Sequence, residues 1–276
     1  MDLADIEAIS AASAEADGID PLDEGAWRRL RHHGDELTTY VEPGRGFSAV
    51  DGDVVHLVVA PEARNHGLGR RLLASALDGR GGPWQAWSHG DHPAAAALAR
   101  ATGFERTRAL WVMRRPLHDL TPLATPPEGV RTFAPGDEDE LVRVNAAAFA
   151  HHPEQGNMDR AELAERMAEP WFDPADLFVS FEGGRMLGFH WTKRHSASLG
   201  EVYVVGIDPT AQGRGLGRTL VDVGLRHLAG LGLDEVLLYV ESDNLPAIGL
   251  YEKLGFTHAD ADTHVMYTRG VSAPAS

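Results

Sequence analysis

The stretch that decides the fold is "GIDPTAQGRGLGRTL", residues 206–220. An earlier stretch, "VVAPEARNHGLGRRL", residues 58–72, repeats its pattern when Pro61 is aligned with Pro209. Each stretch begins at the end of a run rich in β-branched residues, passes through spaced glycines and enters a segment with helical periodicity. The sequence therefore predicts the same strand, glycine-rich turn and helix at two places in the chain.

The repetition extends to the elements around each turn, so the repeated unit is a whole domain. Both halves show helices and strands in similar order, which predicts an α/β fold with mixed sheets (α+β) in two tandem domains. Four prolines and a glycine fall within residues 114–130, where we predict a semi-extended linker. The predicted parts are domains at 1–115 and 130–270, a linker at 116–129 and a disordered tail at 271–276.

Local signals place individual elements of the second half. Asp137 or Asp139 can cap a helix that carries Leu141 and Val144 on one face, and Asp159 begins another helix. Two alternating runs, "LFVSFE" and "RMLGFHWTK", flank a Gly-Gly pair and predict a β-hairpin. The first half repeats the order of strands and helices around its own glycine turn.

The composition is that of a folded, acidic protein. The chain has 276 residues, 43% of them apolar, a formal net charge of -16 and no cysteine. The lack of cysteine excludes disulfides, thiolate metal sites and a cysteine nucleophile. The charge argues against a nucleic-acid partner, the acidic N-terminal segment does not resemble a secretory signal, and no apolar run approaches the ~20 residues of a membrane span. We expect a cytoplasmic monomer with no nucleic-acid or membrane partner.

A strand that runs directly into a glycine-rich turn and a helix creates an anion-binding site. The first N–H groups of the helix have no partner within it, and the helix dipole places partial positive charge there. Neither copy has the Lys-Ser/Thr pair of a P-loop, and the glycine spacing is not that of a dinucleotide-binding fingerprint. A tight turn without a ligand is the alternative, and the two copies with matching flanks argue against it.

The pattern that fits is Q/R-x-x-G-x-G, present as "QGRGLG" at 212–217 and as "RNHGLG" at 64–69. Each half also has a helical segment that ends in Gly-Phe, "NLPAIGLYEKLGF" in the second and "HPAAAALARATGF" in the first. In these motifs the chain resembles the GNAT family of N-acetyltransferases, as two tandem domains that cover nearly its whole length. The resemblance implies acetyl-CoA as co-substrate, with its pyrophosphate on the loop amides and its pantetheine against the preceding strand.

The resemblance assigns acetyl-CoA contacts to both halves. In the second half the implied contacts are Val205, Gly206, Ile207, Gln212, Gly213, Arg214, Gly215, Leu216, Gly217, Arg218, Asn244, Leu245, Pro246, Ala247, Ile248 and Gly249. In the first half they are Leu57, Val58, Val59, Arg64, Asn65, His66, Gly67, Leu68, Gly69 and Arg70.

Acetyl transfer from a thioester to an amine needs a base for the amine, a donor for the oxyanion and an acid for the leaving thiolate. Glu201 lies on the predicted strand "EVYVVGID", and strict alternation places its side chain on the same face as that of Val205. Tyr251 lies on the helix that follows Asn244. A solvated glutamate and a core tyrosine are the ordinary alternatives; the resemblance implies Glu201 as base, Tyr251 as acid and a backbone N–H near Val205 as oxyanion donor.

The first half lacks part of this catalytic set. Asp53 aligns with Glu201, so a carboxylate is present, but Ala99 aligns with Tyr251 and cannot donate a proton. His92 stands where the second half has the asparagine before its helix. We therefore expect the first half to bind acetyl-CoA or to shape the fold without catalysing the reaction.

Several short strings resemble a GNAT subfamily that acetylates the cysteinyl amine of a cysteinyl-glucosamine-inositol small molecule. They are "HHPEQGNMD" at 151–159, "FHWTK" at 189–193, "GEVYVVGIDP" at 200–209 and "LLYVESDNLPAIGLYEKLGF" at 237–256. Carboxylates accept hydrogen bonds from the hydroxyls of such a molecule and lysine donates them. The implied acceptor contacts are Glu24, Glu154, Lys193, Glu201 and Tyr239.

Other functions remain open at the level of sequence. The same motifs occur in GNAT enzymes that acetylate an aminoglycoside or a protein N-terminal amine, and a non-catalytic acetyl-CoA sensor would need only the loop. The pairs His32-His33 and His151-His152 do not predict a metal site, because adjacent side chains diverge and no third ligand follows at a fixed spacing. We therefore expect acetyl-CoA and no metal.

Overall fold

The computed structural model describes residues 3–150 and 153–270. In the first half of the chain, strands and helices follow one another in the predicted order, and a short 3-10 helix precedes the first glycine turn. The helices are α1 (Leu3–Asp17), α2 (Glu24–His32), α3 (Leu68–Leu77) and α4 (Pro93–Thr102), and the strands are β1 (Thr38–Glu42), β2 (Gly46–Asp51), β3 (Val54–Val59), β4 (Trp84–Ser88) and β5 (Glu105–Pro116).

The second half repeats the sequence of strand, glycine turn and helix. Its helices are α5 (Glu138–Ala148), α6 (Pro153–Gly156), α7 (Arg160–Met167), α8 (Leu216–Gly230) and α9 (Leu245–Lys253), and its strands are β6 (Val130–Thr132), β7 (Leu177–Glu182), β8 (Arg185–Arg194), β9 (Leu199–Ile207), β10 (Glu235–Glu241) and β11 (Thr257–Arg269). Among residues 3–150 and 153–270, no helix is long and apolar enough to cross a bilayer.

The chain divides into two compact units whose boundaries differ from the predicted domains. Of the described residues, the first unit includes those up to Trp111 and residues 259–270, and the second unit is Val112–His258. The reason is that β5 and β11 are long strands, of 12 and 13 residues, and each crosses from one unit into the other. The predicted tail at 271–276 lies outside the described residues.

The first unit is a mixed sheet with helices on both faces. β1, β2 and β3 are antiparallel neighbours, β3 is parallel to β4, and β11 is antiparallel to β4. α1 and α2 pack on one face against Phe47 and Val58, whereas α3 and α4 pack on the other face around Val55, Trp84 and Val265. Burial of these apolar side chains is the main stabilising contribution to the unit.

The second unit has the same layered plan. β6 to β9 are antiparallel neighbours, and β9 is parallel to β10. α5 and α7 cover one face, where Phe189 and Trp191 are buried, and α8 covers the other face against Phe178. The predicted hairpin is confirmed: β7 and β8 meet at Gly183 and Gly184, which have φ of 58° and 81°.

Two predicted helix caps have different outcomes. Asp159 caps α7, because its side chain accepts a hydrogen bond from the Glu162 N–H at 2.9 Å. Asp137 precedes α5, but its side chain makes no cap hydrogen bond to that helix. It accepts hydrogen bonds from Arg131 at 2.6 Å and from the Ala134 N–H at 2.9 Å, and the Arg131 contact lowers the pKa of Asp137. This carboxylate therefore fixes the approach to the helix.

Candidate active site

The parallel strands β9 and β10 are hydrogen-bonded to each other at one end only. Their pairing covers residues 199–201 of β9 and 235–237 of β10, although both strands continue beyond it. Beyond Glu201, the main-chain groups on the edge of β9 that faces β10 have no hydrogen-bonding partner in β10. Residues 205–207, which the sequence assigned to acetyl-CoA, lie on this open edge.

A β-bulge interrupts the pairing of β9 with β8. Trp191 lies opposite Val204, and the next residue, Thr192, lies opposite Val202, so Tyr203 is an extra residue on β9. An extra residue shifts the alternation of side chains between the two faces of the sheet by one position. The two ends of β9 therefore follow opposite alternation patterns.

The bulge shows that one expectation was wrong. Glu201 lies opposite Lys193, whose ammonium packs over the Trp171 ring on one face of the sheet. Val205 lies opposite His190, whose ring is hydrogen-bonded to the main chain of α8 on the other face. The side chains of Glu201 and Val205 therefore point to opposite faces, because strict alternation does not hold across a bulge.

Glu201 is a buried carboxylate with a specific partner. The residue is 5% exposed, and its Oε2 lies 2.7 Å from His195 Nε2. His195 belongs to the turn between β8 and β9, and its side chain is 34% exposed. The sequence analysis missed His195, although its position just after the strand that carries Lys193 could have placed it in the hairpin turn.

Lys193 lies among aromatic rings next to Glu201. Its Nζ is 4.5 Å from the centroid of the Trp171 ring and 5.5 Å from that of Tyr203, distances at which a cation is attracted to the ring face. The Trp191 ring packs against Tyr203 with 5.4 Å between centroids. The structure thus brings the predicted residues Lys193 and Glu201 together on one face, beside aromatic walls that the sequence did not indicate.

The glycine turn has the geometry of an anion site. Gly213 and Gly215 have φ of 75° and 79°, a left-handed conformation that disfavours residues with a Cβ. Gly215 precedes the first residue of α8, and no side chain caps the helix there. No side chain therefore caps the first N–H groups of α8, and the anion site expected there stays a prediction.

The two arginines of the turn differ in their surroundings. Arg214 forms an ion pair with Glu182, with 2.8 Å between Nη2 and Oε1, so a neighbouring carboxylate offsets much of its charge. Arg218 is exposed and forms no ion pair with the described part of the chain. Of these two implied acetyl-CoA contacts, Arg218, in the first turn of α8, has the less compensated charge.

A buried carboxylate anchors the start of the glycine turn. Asp208 accepts hydrogen bonds from Thr210 N and Oγ1, at 2.9 and 2.7 Å, and from Arg143 at 2.6 Å. Arg185 adds a contact at 3.1 Å. These bonds, those of Thr210 foremost, hold the pKa of Asp208 well below its usual range. Asp208 stays charged and fixes the 3-10 helix that leads into the turn.

Tyr251 and Asn244 occupy α9, after β10. Asn244 caps the helix by accepting a hydrogen bond from the Ala247 N–H at 3.2 Å, so the fold itself requires this side chain. Tyr251 is half-buried as a residue, and its ring packs edge-on against Phe256, with 5.7 Å between centroids. Burial raises the pKa of Tyr251 to about 12, so its hydroxyl keeps its proton at neutral pH.

Gly206 has a packing role of its own. A Cβ at this position would clash with the ring of Phe189, which is fully buried. The absence of a side chain is therefore required by the core, whether or not a ligand lies along the strand. This steric requirement is a second reason for glycine at a position that the sequence assigned to acetyl-CoA.

The first unit contains the corresponding glycine turn, in which the arginine has different hydrogen-bonding partners. Gly67 has φ of 77° and precedes α3, again without a side-chain cap. Arg64 forms an ion pair with Asp17 at 2.7 Å and donates to the Val59 carbonyl at 3.0 Å. The Arg64 contact lowers the pKa of Asp17. A left-handed glycine before a helix without a side-chain cap is thus present in both units.

The first unit has other residues at the positions that align with the predicted base and acid. Asp53 accepts a hydrogen bond from Gln85 Nε2 at 3.0 Å. Ala99, at the position of Tyr251, is 6% exposed and part of the core. His92 caps α4 by accepting from the Ala94 N–H at 3.2 Å, the same role that the asparagine plays in the second unit. No proton donor stands at the tyrosine position.

The remaining predicted acceptor contacts lie on three different elements, β10, α2 and α6. Tyr239 lies on β10 and is 43% exposed. It lies two residues beyond Leu237, the partner of Glu201, so alternation places it on the Glu201 face. Glu24 is the first residue of α2 in the first unit, and the side chain of Glu154 lies outside the described residues.

Metal ligands do not cluster in the part of the chain that the structure describes. No group of three or more His, Asp or Glu side chains there has the arrangement of a metal site. The pair His32-His33 falls at the end of α2, and the pair at 151–152 lies outside the described residues.

Comparison with known proteins identifies the family. Residues 144–256 match the sequence model of the acetyltransferase (GNAT) family. The chain is 56% identical to the mycothiol acetyltransferase of Nocardioides sp. strain JS614, over 97% of both proteins. This chain belongs to the mycothiol acetyltransferase family. Another mycothiol acetyltransferase, from Catenulispora acidiphila, is 50% identical over 96% of this chain and 95% of its own.

Solved structures similar to this mycothiol acetyltransferase family member bear on its fold. A tandem GNAT protein from the clavulanic acid biosynthesis pathway has a TM-score of 0.70 at 19% identity, covering 99% of this chain and 97% of its own. A GCN5-related N-acetyltransferase from Sphaerobacter thermophilus has a TM-score of 0.65 at 22% identity. The match covers 96% of this chain and 91% of that protein. The predicted α/β fold of the GNAT class is confirmed.

Proposed function

We propose that this chain transfers the acetyl group of acetyl-CoA to the cysteinyl amine of a cysteinyl-glucosamine-inositol acceptor, the last step of mycothiol biosynthesis. The observation that carries the proposal is the 56% identity to a mycothiol acetyltransferase over 97% of both chains. The second unit contains side chains and main-chain groups of the kind that such a transfer needs.

Acetyl-CoA is proposed to bind along the open edge of β9 and at the glycine turn of residues 212–217. The unpaired main-chain groups of residues 205–207 suit the amides of pantetheine, which can add to a sheet edge like a strand. The uncapped N–H groups at the start of α8 suit the pyrophosphate. Leu245, 71% exposed at the start of α9, offers an apolar contact.

Glu201 is the proposed base. Its buried carboxylate can take a proton from the acceptor's ammonium, directly or through a water, which frees the nitrogen lone pair to attack the thioester carbonyl. The attack places negative charge on the carbonyl oxygen, and a backbone N–H near Val205 is the proposed donor to it. The net negative charge of the protein, -16, favours capture of a cationic amine.

Tyr251 is the proposed acid. Collapse of the tetrahedral intermediate breaks the carbon–sulfur bond, and the leaving thiolate takes the phenolic proton. The phenol is protonated at neutral pH even at the ordinary tyrosine pKa of about 10, so its proton is in place before the reaction. A proton from the reacting nitrogen then restores the phenol, so the acid is ready for the next turnover.

The acceptor is proposed to contact Glu154, Lys193 and Tyr239 in the second half. Glu24, in the first half, stays a prediction of the resemblance. Lysine and tyrosine donate hydrogen bonds to sugar and inositol oxygens, and carboxylates accept from their hydroxyls. Lys193 and Glu201 are opposite one another across two paired strands, which supports a shared acceptor site on that face. Tyr239 is exposed enough to be reached.

The first half is proposed to bind acetyl-CoA or to support the fold without catalysis. Its glycine turn has the same backbone geometry as that of the second half, which supports binding. Its core alanine at the tyrosine position supports the absence of turnover, since an alanine cannot protonate a thiolate.

The direct test is an acetylation assay with the proposed acceptor and, as a control, an aminoglycoside. Loss of acetyl-CoA and formation of CoA are followed by chromatography, because the acceptor's own thiol would react with thiol reagents. We expect CoA to form with the cysteinyl-glucosamine-inositol acceptor and only at the background rate with the aminoglycoside. The absence of CoA formation above background with the first acceptor would overturn the proposed function.

A further inference from the structure

A half-exposed imidazole is bonded to the buried carboxylate of Glu201. His195 Nε2 lies 2.7 Å from Glu201 Oε2, and the exposed fractions of the two side chains are 34% and 7%. This contact spans the boundary between the protein interior and solvent. Its significance rests on the proposed function, in which Glu201 is the base.

The turn between β8 and β9 fixes His195 beside Glu201. The N–H groups of His195 and Ser196 both donate to the Leu199 carbonyl, at 2.9 and 3.3 Å. Ser196 Oγ in turn accepts from the N–H groups of Ser198 and Leu199, at 3.2 and 3.1 Å. These bonds close a tight loop, so His195 stands at a defined place and not on a freely moving tip.

The stoichiometry of the reaction creates a need for proton removal from this carboxylate. The acceptor enters as an ammonium and leaves as an amide, so its nitrogen gives up two protons for each acetyl group that it gains. One of these ends on the CoA thiol, by way of the phenol. The other is taken up by Glu201 and has no acceptor in the products, so it must reach solvent before the next turnover.

Two side chains next to Glu201, those of Lys193 and His195, differ in their ability to take up that proton. Lys193, directly opposite on β8, is an ammonium when charged and then has no lone pair with which to accept it. A neutral imidazole has such a lone pair and can bind a proton at either ring nitrogen. The Glu201 carboxylate contacts His195, and the side chain of His195 is also open to solvent.

We propose that His195 carries the proton from Glu201 to solvent. After each attack, Glu201 is a carboxylic acid and His195 a neutral imidazole. The proton passes to the ring, which regenerates the carboxylate and forms an imidazolium, and the imidazolium loses a proton to water. His195 acts through Glu201 and does not touch the reacting atoms, so it is a positioning residue with a proton-carrying role.

The first unit offers an internal contrast. Asp53, at the position of Glu201, is bonded to the amide of Gln85 at 3.0 Å. An amide can hold a carboxylate by a hydrogen bond, but it does not take up a proton near neutral pH. In the second unit, by contrast, Glu201 is bonded to an imidazole that can bind a proton, and the same unit contains the proposed acid, Tyr251. This pairing is expected if the imidazole serves catalysis.

The test replaces His195 by glutamine, which can keep a hydrogen bond to Glu201 but cannot carry the proton. We expect H195Q to lower kcat by roughly tenfold or more, with the KM of acetyl-CoA and of the acceptor nearly unchanged. Added imidazole should restore kcat in H195Q in proportion to its concentration, and it should leave the wild type and E201Q unaffected. H118Q, at an exposed histidine of the same unit, is the matched control and should behave as the wild type.

Different results separate the proton path from the proposed function. A kcat of H195Q equal to that of the wild type, in a preparation where E201Q is inactive, would overturn the proton path and leave the base in place. A kcat that falls and does not respond to imidazole, in both H195Q and H195N with wild-type thermal stability, would also overturn it. A fully active E201Q would overturn the proposed base, and the proton path with it.

Discussion

Gly67 and Gly215 share one left-handed backbone conformation, with φ of 77° and 79°, and each directly precedes a helix without a side-chain cap. A Cβ added at either position would meet no atom of the described chain within 4 Å. The two glycines therefore carry the same intrinsic cost of substitution, and any difference between their variants reports on what binds at the turn.

The first prediction compares G215A with G67A. Each alanine is forced into the left-handed region, so each variant should lose roughly 1–2 kcal/mol of unfolding free energy. Only G215A should also raise the KM of acetyl-CoA in the transfer reaction, because its methyl group lies among the amides proposed for the pyrophosphate. Unfolding by urea and steady-state kinetics provide the two measurements. An equal rise of KM in both variants would contradict the assignment of turnover to the second half.

The second prediction concerns the base and the acid. E201Q removes the proton acceptor and Y251F the proton donor, so each should lower kcat by about 10²–10⁴-fold. D53N, the matched variant of the first half, should retain nearly full activity. Steady-state CoA formation measures all three. Activity that survived E201Q and Y251F but disappeared on substitution of Gly67 and Gly69 would reverse the roles of the two halves.

The third prediction concerns the packing behind the site. A Cβ at Gly224, on α8, would clash with the ring of His190 and come within 2.8 Å of Thr192 Cγ2. G224A should therefore destabilise the protein by about 1–3 kcal/mol, the usual effect of overpacking a core. G249A is the control, because Gly249 lies on α9 and a Cβ there meets nothing within 4 Å. Urea unfolding should show a loss for G224A alone; equal stabilities would contradict the packing.

The fourth prediction concerns acid sensitivity. Burial lowers the pKa of His190 from 6.5 to about 4, while its Nδ1 is hydrogen-bonded to the Leu220 carbonyl at 2.8 Å. The unfolded chain therefore binds a proton that the folded chain does not as the pH falls below 6.5. The stabilising contribution is present above pH 6.5 and is lost as the pH falls towards 4, to a total of about 3 kcal/mol.

H190N tests this contribution. Asparagine can keep the hydrogen bond to the Leu220 carbonyl but does not titrate, so the unfolding free energy of H190N should fall less steeply than that of the wild type over the same pH range. The comparison of slopes matters more than absolute stability, because other buried histidines contribute equally in both proteins. Identical slopes would show that His190 does not titrate on unfolding.

Much of the fold was predictable because the glycine turns and the alternating strands are local signals. The strand, turn and helix around Gly67 and around Gly215 are where the sequence placed them. The units were less predictable: β5 and β11 each extend from one unit into the other, and nothing local in a strand specifies its sheet partner.

The residue roles at the candidate site stay predictions, and the geometry of the site was predictable only in part. Glu201 and Lys193 are together as expected, but the bulge at Tyr203 reverses the face of Val205, and a bulge depends on pairing with a second strand. His195 was missed because its role comes from contact with Glu201 across a turn. The ion pair of Arg214 with Glu182 could not be predicted for a similar reason, since Glu182 is remote in sequence.

The most direct test of the account is to identify the product. The acceptor is incubated with acetyl-CoA and the enzyme, and the position of the new acetyl group is determined by NMR spectroscopy. We predict an amide on the cysteinyl nitrogen and a free thiol in the same molecule, formed by the wild type and not by E201Q. An unmodified amine, or the same amide formed at the wild-type rate by E201Q, would contradict it.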